Sequence, residues 1–315
     1  MKVKIDIFSG FLGAGKTQLI KKLLEENVYT EKIAIVENEF GEVSIDAGIL
    51  RESNVSVKEI NSGCICCQVT GDFKKAIYEV ISEYSPTRLI IEPSGVAKLS
   101  DIKNIFLEKD LINITEVDNV ITVIDPLKID TYLNNFKKFY KDQVTSANKI
   151  VLSRCQLISE SDLLNAKKKI SSLNKEALLI AKPWDNLKGS EVLKDFTPKT
   201  SFLNLKTTLS KSKATLVSEP SLESASNTFS SIPIYTKDKF SKEELIKKFE
   251  FLSSSSSFGN VLRAKGIVKL FDGDNHQFDF VPSEFNIRKL NYAPKNIIII
   301  IGTNLKENEL KKFFN

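Results

Sequence analysis

Residues 10–17 read GFLGAGKT, preceded by the apolar run VKIDIF and followed by QLIKKLLEEN. The preceding run predicts a short buried strand over 3–8. The following one carries Leu19, Ile20, Leu23 and Leu24 at helical spacing. Between strand and helix, the octet fits G-x-x-x-x-G-K-[ST], a phosphate-binding loop. Gly10, Gly13, Ala14 and Gly15 allow a tight turn whose successive N–H groups point at phosphate oxygens. The N-terminus of the next helix adds partial positive charge. Lys16 is placed to reach the β- and γ-phosphates, and the Thr17 hydroxyl to ligate Mg²⁺.

Working outward, RLIIEPSG at 88–95 predicts a second buried strand with Glu92 at its tip. A carboxylate there, on the same sheet edge as the loop, can hold a water on Mg²⁺ or orient the attacking water. Gly95 can offer a backbone N–H to the γ-phosphate. Further strands rich in Ile and Val are expected at 33–37, 119–124 and 150–153, with helical patterns at 71–84, 127–138 and 161–173. Such alternation predicts an α/β fold, a P-loop NTPase with a mostly parallel sheet and its ligand at the carboxyl ends of the strands. The Ser-, Thr- and Lys-rich stretch 197–227 reads as a linker. It divides a nucleotide-binding domain, 1–196, from a small C-terminal α+β domain, 228–315. There we expect strands at 229–235, 261–271 and 296–301, a hairpin turn at Asp272-Gly273, and a closing helix at 306–314. A helix is expected over 241–251, with Ser241 as N-cap and Glu244 three residues on. The serine run 253–257 reads as loop.

The chain has four cysteines, and GCICC at 63–67 holds Cys64, Cys66 and Cys67. Clustered thiols in a reducing compartment point to metal or redox chemistry more than to structural disulfides. Zn²⁺ and similar soft ions favour thiolates, and a closed site needs about four ligands. A carboxylate from ENEFGE at 37–42, Glu37 or Glu42 among them, can complete the set. Ionising adjacent thiols costs free energy that a bound divalent cation offsets, so loading is proton-coupled. Three small buried hydrophobes, or a redox pair, are the alternative readings. Cys155 stands alone and reads as structural, as does the single histidine, His276.

Composition excludes other classes. Of 315 residues, 42% are apolar and 27% charged, as in ordinary globular proteins. The net charge of +5, from 45 basic and 40 acidic residues, is too small and dispersed to argue for nucleic acid. Lysines such as Lys167, Lys168 and Lys169 belong to solvated helix faces. The longest apolar run, 297–301, falls far short of the roughly 20 residues that span a bilayer. The start of the chain has no long apolar core or cleavage site. We therefore expect no membrane partner and a cytoplasmic location.

GFLGAGKT, ENEFGEVSIDAG, NSGCICC and IIEPSG together resemble, in order, the motifs of the CobW-type P-loop GTPases, metal-insertion proteins related to the urease and hydrogenase nickel chaperones. The stretch NVLRAKG at 260–266 is similar to the family's second domain. The resemblance implies a GTPase that binds Zn²⁺, Co²⁺ or Ni²⁺ at Cys64, Cys66 and Cys67, with Glu37 or Glu42 as helpers. It also implies a client metalloprotein or metal-cofactor assembly enzyme as partner, and it leaves a homo-oligomer open. One feature departs from the family. GTPases of this kind read guanine with N/T-K-x-D after a strand, and Ser153-Arg154-Cys155-Gln156 stands here instead. Gln156 has a carbonyl acceptor but also an NH₂ that meets the donors of the guanine edge. ATP is thus an alternative to GTP, and a nucleotide sensor without turnover is an alternative to a hydrolase.

Overall fold

A computed structural model of the protein describes residues 1–40, 56–62, 69–194, 228–282, 284–290 and 295–315, with the backbone alone at 38–40, 56–62 and 69–72. The first part is built on β1 (Val3–Ser9), β2 (Ile33–Phe40), β3 (Ser56–Ser62), β4 (Arg88–Glu92), β5 (Thr115–Ile124), β6 (Lys149–Leu152) and β7 (Leu178–Ile180). They form one sheet in the order β3-β2-β4-β1-β5-β6-β7. Every neighbouring pair is parallel. Connecting helices are α1 (Lys16–Glu25), α2 (Val69–Tyr84), α3 (Leu99–Ile105), α4 (Lys109–Ile112), α5 (Ile129–Asn135), α6 (Lys137–Thr145), α7 (Glu160–Leu173) and α8 (Gly189–Leu193).

Alternating side chains build a core on each face of the sheet, as strands covered on both sides require. Phe8, Ile35, Ile90, Ile121 and Val151 meet Leu19, Ile20 and Leu23 of α1. Ile5, Ile7, Leu89, Ile91 and Ile150 meet Phe73 and Ile77 of α2, together with Phe136, Phe139 and Ile170. Asp6 interrupts the apolar run of β1. It is buried, and its Oδ1 accepts from Arg88 Nη1 and from Asn119 Nδ2, each at 2.7 Å. Lys149 Nζ in turn donates to Asn119 Oδ1 at 2.6 Å. These bonds tie β4, β1, β5 and β6 together and satisfy polar groups that burial would otherwise penalise.

The second part is a six-stranded sheet with the path β12-β11-β10-β13-β8 and β9 beside β10. Its strands are β8 (Ser230–Tyr235), β9 (Lys239–Phe240), β10 (Asn260–Leu270), β11 (Asn275–Val281), β12 (Glu284–Lys289) and β13 (Ile297–Thr303). Helices α9 (Lys242–Ser254) and α10 (Glu307–Phe314) cover one face. Ser241 caps α9 by accepting from Glu244 N at 3.0 Å. On the other face, Ile297, Ile299 and Ile301 of β13 join the core of the first part. Phe229 completes the junction, its ring 5.2–6.2 Å from those of Phe11, Phe136 and Phe139.

The single helix expected over 127–138 is corrected. A 3₁₀ turn at Pro126–Lys128 leads into α5 and then α6, with Phe136 at φ −134° between them. Phe136 leaves the helical conformation where its ring enters the Phe11–Phe229 cluster. The serine run expected as loop also contributes Ser253 and Ser254 to the last turn of α9. The linker expected over 197–227 lies outside the described residues.

Candidate functional site

β1 is central, and its carboxyl end runs directly into residues 10–15. Gly10 has φ +143°, and a Cβ there would lie 2.4 Å from the Val123 carbonyl oxygen on β5. Only glycine meets both conditions. α1 starts at Lys16 with Gly15 as N-cap and no side-chain capping bond. Its first-turn N–H groups therefore point into the loop without a side-chain acceptor from the cap, the arrangement that receives phosphate. Lys16 is largely buried and lines the cavity above the loop.

Thr17 Oγ1 donates to Glu92 Oε1 at 2.8 Å, so the hydroxyl that opens α1 and the carboxylate that ends β4 are in contact. This pair of hard oxygen donors beside a phosphate loop fits Mg²⁺, which keeps most of its waters and takes one or two protein oxygens. Gly95 is buried beneath the loop, where a Cβ would lie 2.8 Å from Leu12 N, and its carbonyl accepts from Gln143 Nε2 at 3.1 Å. It does not line the cavity.

Glu37 is the register partner of Glu92 across β2 and β4, and both are buried. β3 runs parallel to β2 and ends with Ser62 opposite Phe40. The chain thus leaves β3 toward Cys64 from the same sheet edge that carries the phosphate loop. Cys64, Cys66, Cys67 and Glu42 lie outside the described residues. Among the described residues, no group of three or more His, Cys, Asp or Glu is assembled to hold a metal.

After β6 the chain turns sharply at Arg154, φ +52°, into a 3₁₀ turn at Cys155–Leu157. Gln156 is exposed and does not line the cavity; Arg154 does. Its Nη1 donates to Gly13 O at 3.0 Å and to Asp125 Oδ2 at 3.2 Å, and its Nη2 to Glu284 Oε2 at 2.5 Å. Burial pushes the Asp125 carboxyl above its usual pKa, and the Arg154 guanidinium opposes that shift. Trp184 donates from Nε1 to Leu152 O at 3.0 Å and packs beside Gly15. Cys155 is buried, and desolvation raises its thiol pKa, so it is a poor nucleophile. His276 sits on β11 with Nδ1 3.3 Å from Asp274 O, away from the cavity lining.

The cavity of about 480 Å³ has Gly13, Gly15, Lys16, Thr17 and Glu92 as its floor. Its roof is the polar face of β10, β11 and β12, including Arg263, Gln277, Asp279 and Arg288. β11 comes so close that a Cβ on Gly13 would lie 2.6 Å from Val281 Cγ1. Sequence reasoning missed these roof residues. The period-2 patterns HQFDFV and EFNIRK mark two-faced strands, but alternation alone does not say that a polar face covers a ligand cleft.

Residues 4–181 match the family model for the CobW/HypB/UreG nucleotide-binding domain, and residues 229–315 match that for the cobalamin synthesis protein CobW C-terminal domain. The chain belongs to the CobW/HypB/UreG family. The zinc chaperone YjiA of Escherichia coli (strain K12) is 30% identical over 171 residues, 52% of this CobW-family chain and 53% of that protein. The zinc chaperone CobW of Sinorhizobium is 30% identical over 199 residues, 54% of this chain and 56% of that one. The match to these two thus spans about half of their length. The zinc-regulated GTPase metalloprotein activator 1 of Schizosaccharomyces pombe is 27% identical over 346 aligned positions, covering 96% of this chain and 83% of that protein. The crystal structure of Zn(II)-bound YjiA GTPase from E. coli covers 100% of this chain and 98% of its own at 21% identity and a TM-score of 0.43. No helix among the described residues is long and apolar enough to cross a membrane.

Proposed function

We propose that this chain is a nucleotide-driven metallochaperone. It binds a nucleoside triphosphate, GTP ahead of ATP, on GFLGAGKT. It carries Zn²⁺, Co²⁺ or Ni²⁺ as cargo at Cys64, Cys66 and Cys67, with Glu37 or Glu42 as a fourth ligand. Hydrolysis is coupled to delivery to a client metalloprotein or metal-cofactor assembly enzyme. One observation carries the reading: Thr17 bonds Glu92, and Glu92 is the register partner of Glu37. The phosphate loop and the strand that carries the candidate ligand Glu37, itself paired with the strand that leads toward the cation motif, are therefore joined in two steps.

The residue roles follow from placement. Lys16 neutralises the β- and γ-phosphates from the first turn of α1. Thr17 and Glu92 hold Mg²⁺, directly or through water. Bound there, Mg²⁺ neutralises charge on the β- and γ-oxygens. Glu92 also orients the attacking water, and Gly95 packs against Leu12 of the loop while its carbonyl is held by Gln143 of α6. Family membership and the zinc-chaperone relatives support the choice of cargo.

The test is a competition titration of Zn²⁺ against a chromophoric chelator, on protein that is empty, GDP-loaded, or loaded with a non-hydrolysable GTP analogue. Coupling of the usual size changes the Zn²⁺ dissociation constant by about 5- to 150-fold between states. An identical constant in all three states refutes nucleotide-driven carriage. The departure from the guanine-reading pattern at Ser153-Arg154-Cys155-Gln156 keeps open a second reading, a sensor that binds nucleotide without turnover. Steady-state phosphate release with Mg-GTP and Mg-ATP, each with and without Zn²⁺, separates the two.

A further inference from the structure

The sheet of the second part uses one face for two purposes. Toward β13 the face is apolar, and Ile297, Ile299 and Ile301 pack into the first part's core. Toward β12 it is polar and roofs the phosphate loop. Register places Gln277 opposite Arg288 and Asp279 opposite Asn286, while Phe278 and Ile287 point to the other side.

Two guanidinium groups reach this roof, and their partners differ. Arg263 is bonded bidentately to Asp279, Nε to Oδ1 at 3.0 Å and Nη2 to Oδ2 at 2.7 Å, so a carboxylate neutralises its charge. Arg288 donates from Nε and Nη2 to the amide oxygen of Gln277, at 3.1 and 2.8 Å. That acceptor is neutral. It fixes the plane of the guanidinium and leaves its positive charge uncompensated. Among the described residues, no carboxylate pairs with Arg288. A planar, oriented cation that shares a cavity with Lys16 and the open N-terminus of α1 matches a phosphate group.

We propose that Arg288, positioned by Gln277, contacts the terminal phosphate of the nucleotide bound on the loop. The C-terminal sheet then distinguishes triphosphate from diphosphate from a different domain than the one that grips the nucleotide. This inference rests on the nucleotide reading above and adds to it a second-domain phosphate contact. A diphosphate lacks the group that Arg288 meets, so the contact is made in one nucleotide state only. The apolar half of the same sheet face would carry that difference into the junction at Phe229.

The experiment measures the affinity of a fluorescent non-hydrolysable GTP analogue and of fluorescent GDP for the full chain, Arg288→Gln and Arg288→Lys. A charge-assisted contact of this kind predicts that Arg288→Gln weakens the triphosphate analogue roughly tenfold or more and leaves GDP within about twofold. Arg288→Lys keeps the charge without the fork and falls between. Arg288 is half-buried on an edge strand, and GDP binding reports that the variants are folded. Equal affinities of the wild type and Arg288→Gln for the triphosphate overturn the proposal, as does a parallel loss of both nucleotides. If the wild type binds neither nucleotide, the underlying reading fails as well, a result distinct from the other two.

Discussion

Arg154 bridges three elements. Its guanidinium holds Gly13 O in the loop, Asp125 after β5 and Glu284 at the start of β12. Replacing it with alanine leaves the Asp125 carboxylate buried, with its bond from Leu127 N at 2.9 Å still made. Removing one partner of a buried pair costs about 3–5 kcal/mol, and an exposed pair is worth about 0–1 kcal/mol. The Asp125 half is buried, whereas the Glu284 side chain is 36% exposed. Arg154 itself is partly open, which screens the pair, so we expect about 2–4 kcal/mol of destabilisation at pH 7. The pH dependence has a definite sign. The folded Asp125 carboxyl already titrates above its ordinary 3.8 because burial outweighs Arg154. Without the guanidinium it moves further up. Between 3.8 and that raised value the folded variant binds a proton that the unfolded chain releases, so its stability rises as pH falls through the window. The penalty of Arg154→Ala therefore shrinks from pH 7 toward pH 4. In Arg154→Ala/Asp125→Asn it should be smaller at pH 7 and nearly independent of pH. Urea unfolding followed by the fluorescence of Trp184, the chain's single tryptophan, measures all four corners of the cycle. A penalty under about 1 kcal/mol that does not vary with pH would refute the bridging role, since that is the range of an exposed pair.

Three further outcomes are expected. Phe229→Ala should cost about 3–5 kcal/mol in urea unfolding, the usual loss for a buried ring, because its ring is shared by Phe11, Phe136 and Phe139; a loss under about 1 kcal/mol would show that the two parts are not held there. Gly10→Ala drives a methyl against the Val123 carbonyl, so fluorescent-nucleotide titration should show affinity reduced at least tenfold, roughly the result of about 1.4 kcal/mol; wild-type affinity would contradict the loop geometry. Thr17→Val keeps the shape and deletes the hydroxyl that meets Glu92; Mg²⁺ should then no longer tighten triphosphate binding, while circular dichroism stays native.

What could be read in advance was local. β1, the loop and α1 are contiguous, and each is set by its own residues: an apolar run, glycines, then helical spacing. Glu92 was legible because it ends a strand of five buried residues. β2 was expected to stop at Glu37 but continues to Phe40, since pairing with β3 extends it beyond the apolar residues. β7 and β12 were not expected. The first is three residues long and half-buried, and the second, EFNIRK, alternates only two apolar residues with polar ones, too short a pattern to separate from loop until its edge pairing with β11 is seen. The break at Phe136 depends on a ring nearly a hundred positions away, which no helical periodicity records. Arg154 lay inside a stretch read for what it lacked, and its value comes from Asp125 and Glu284, which only the fold brings near.

The C-terminal sheet serves as adhesive at one end of a face and as ceiling at the other, and a strand exchanges its two faces whenever its register moves by one residue. Inserting or deleting a single residue within β10 would therefore turn Arg263 and Lys265 toward the phenylalanines under α9 while presenting Ala264 to the side of the phosphate loop. Halves taken from different relatives will recombine only where both the ring cluster and the polar ceiling match, so the natural unit of exchange is the whole chain.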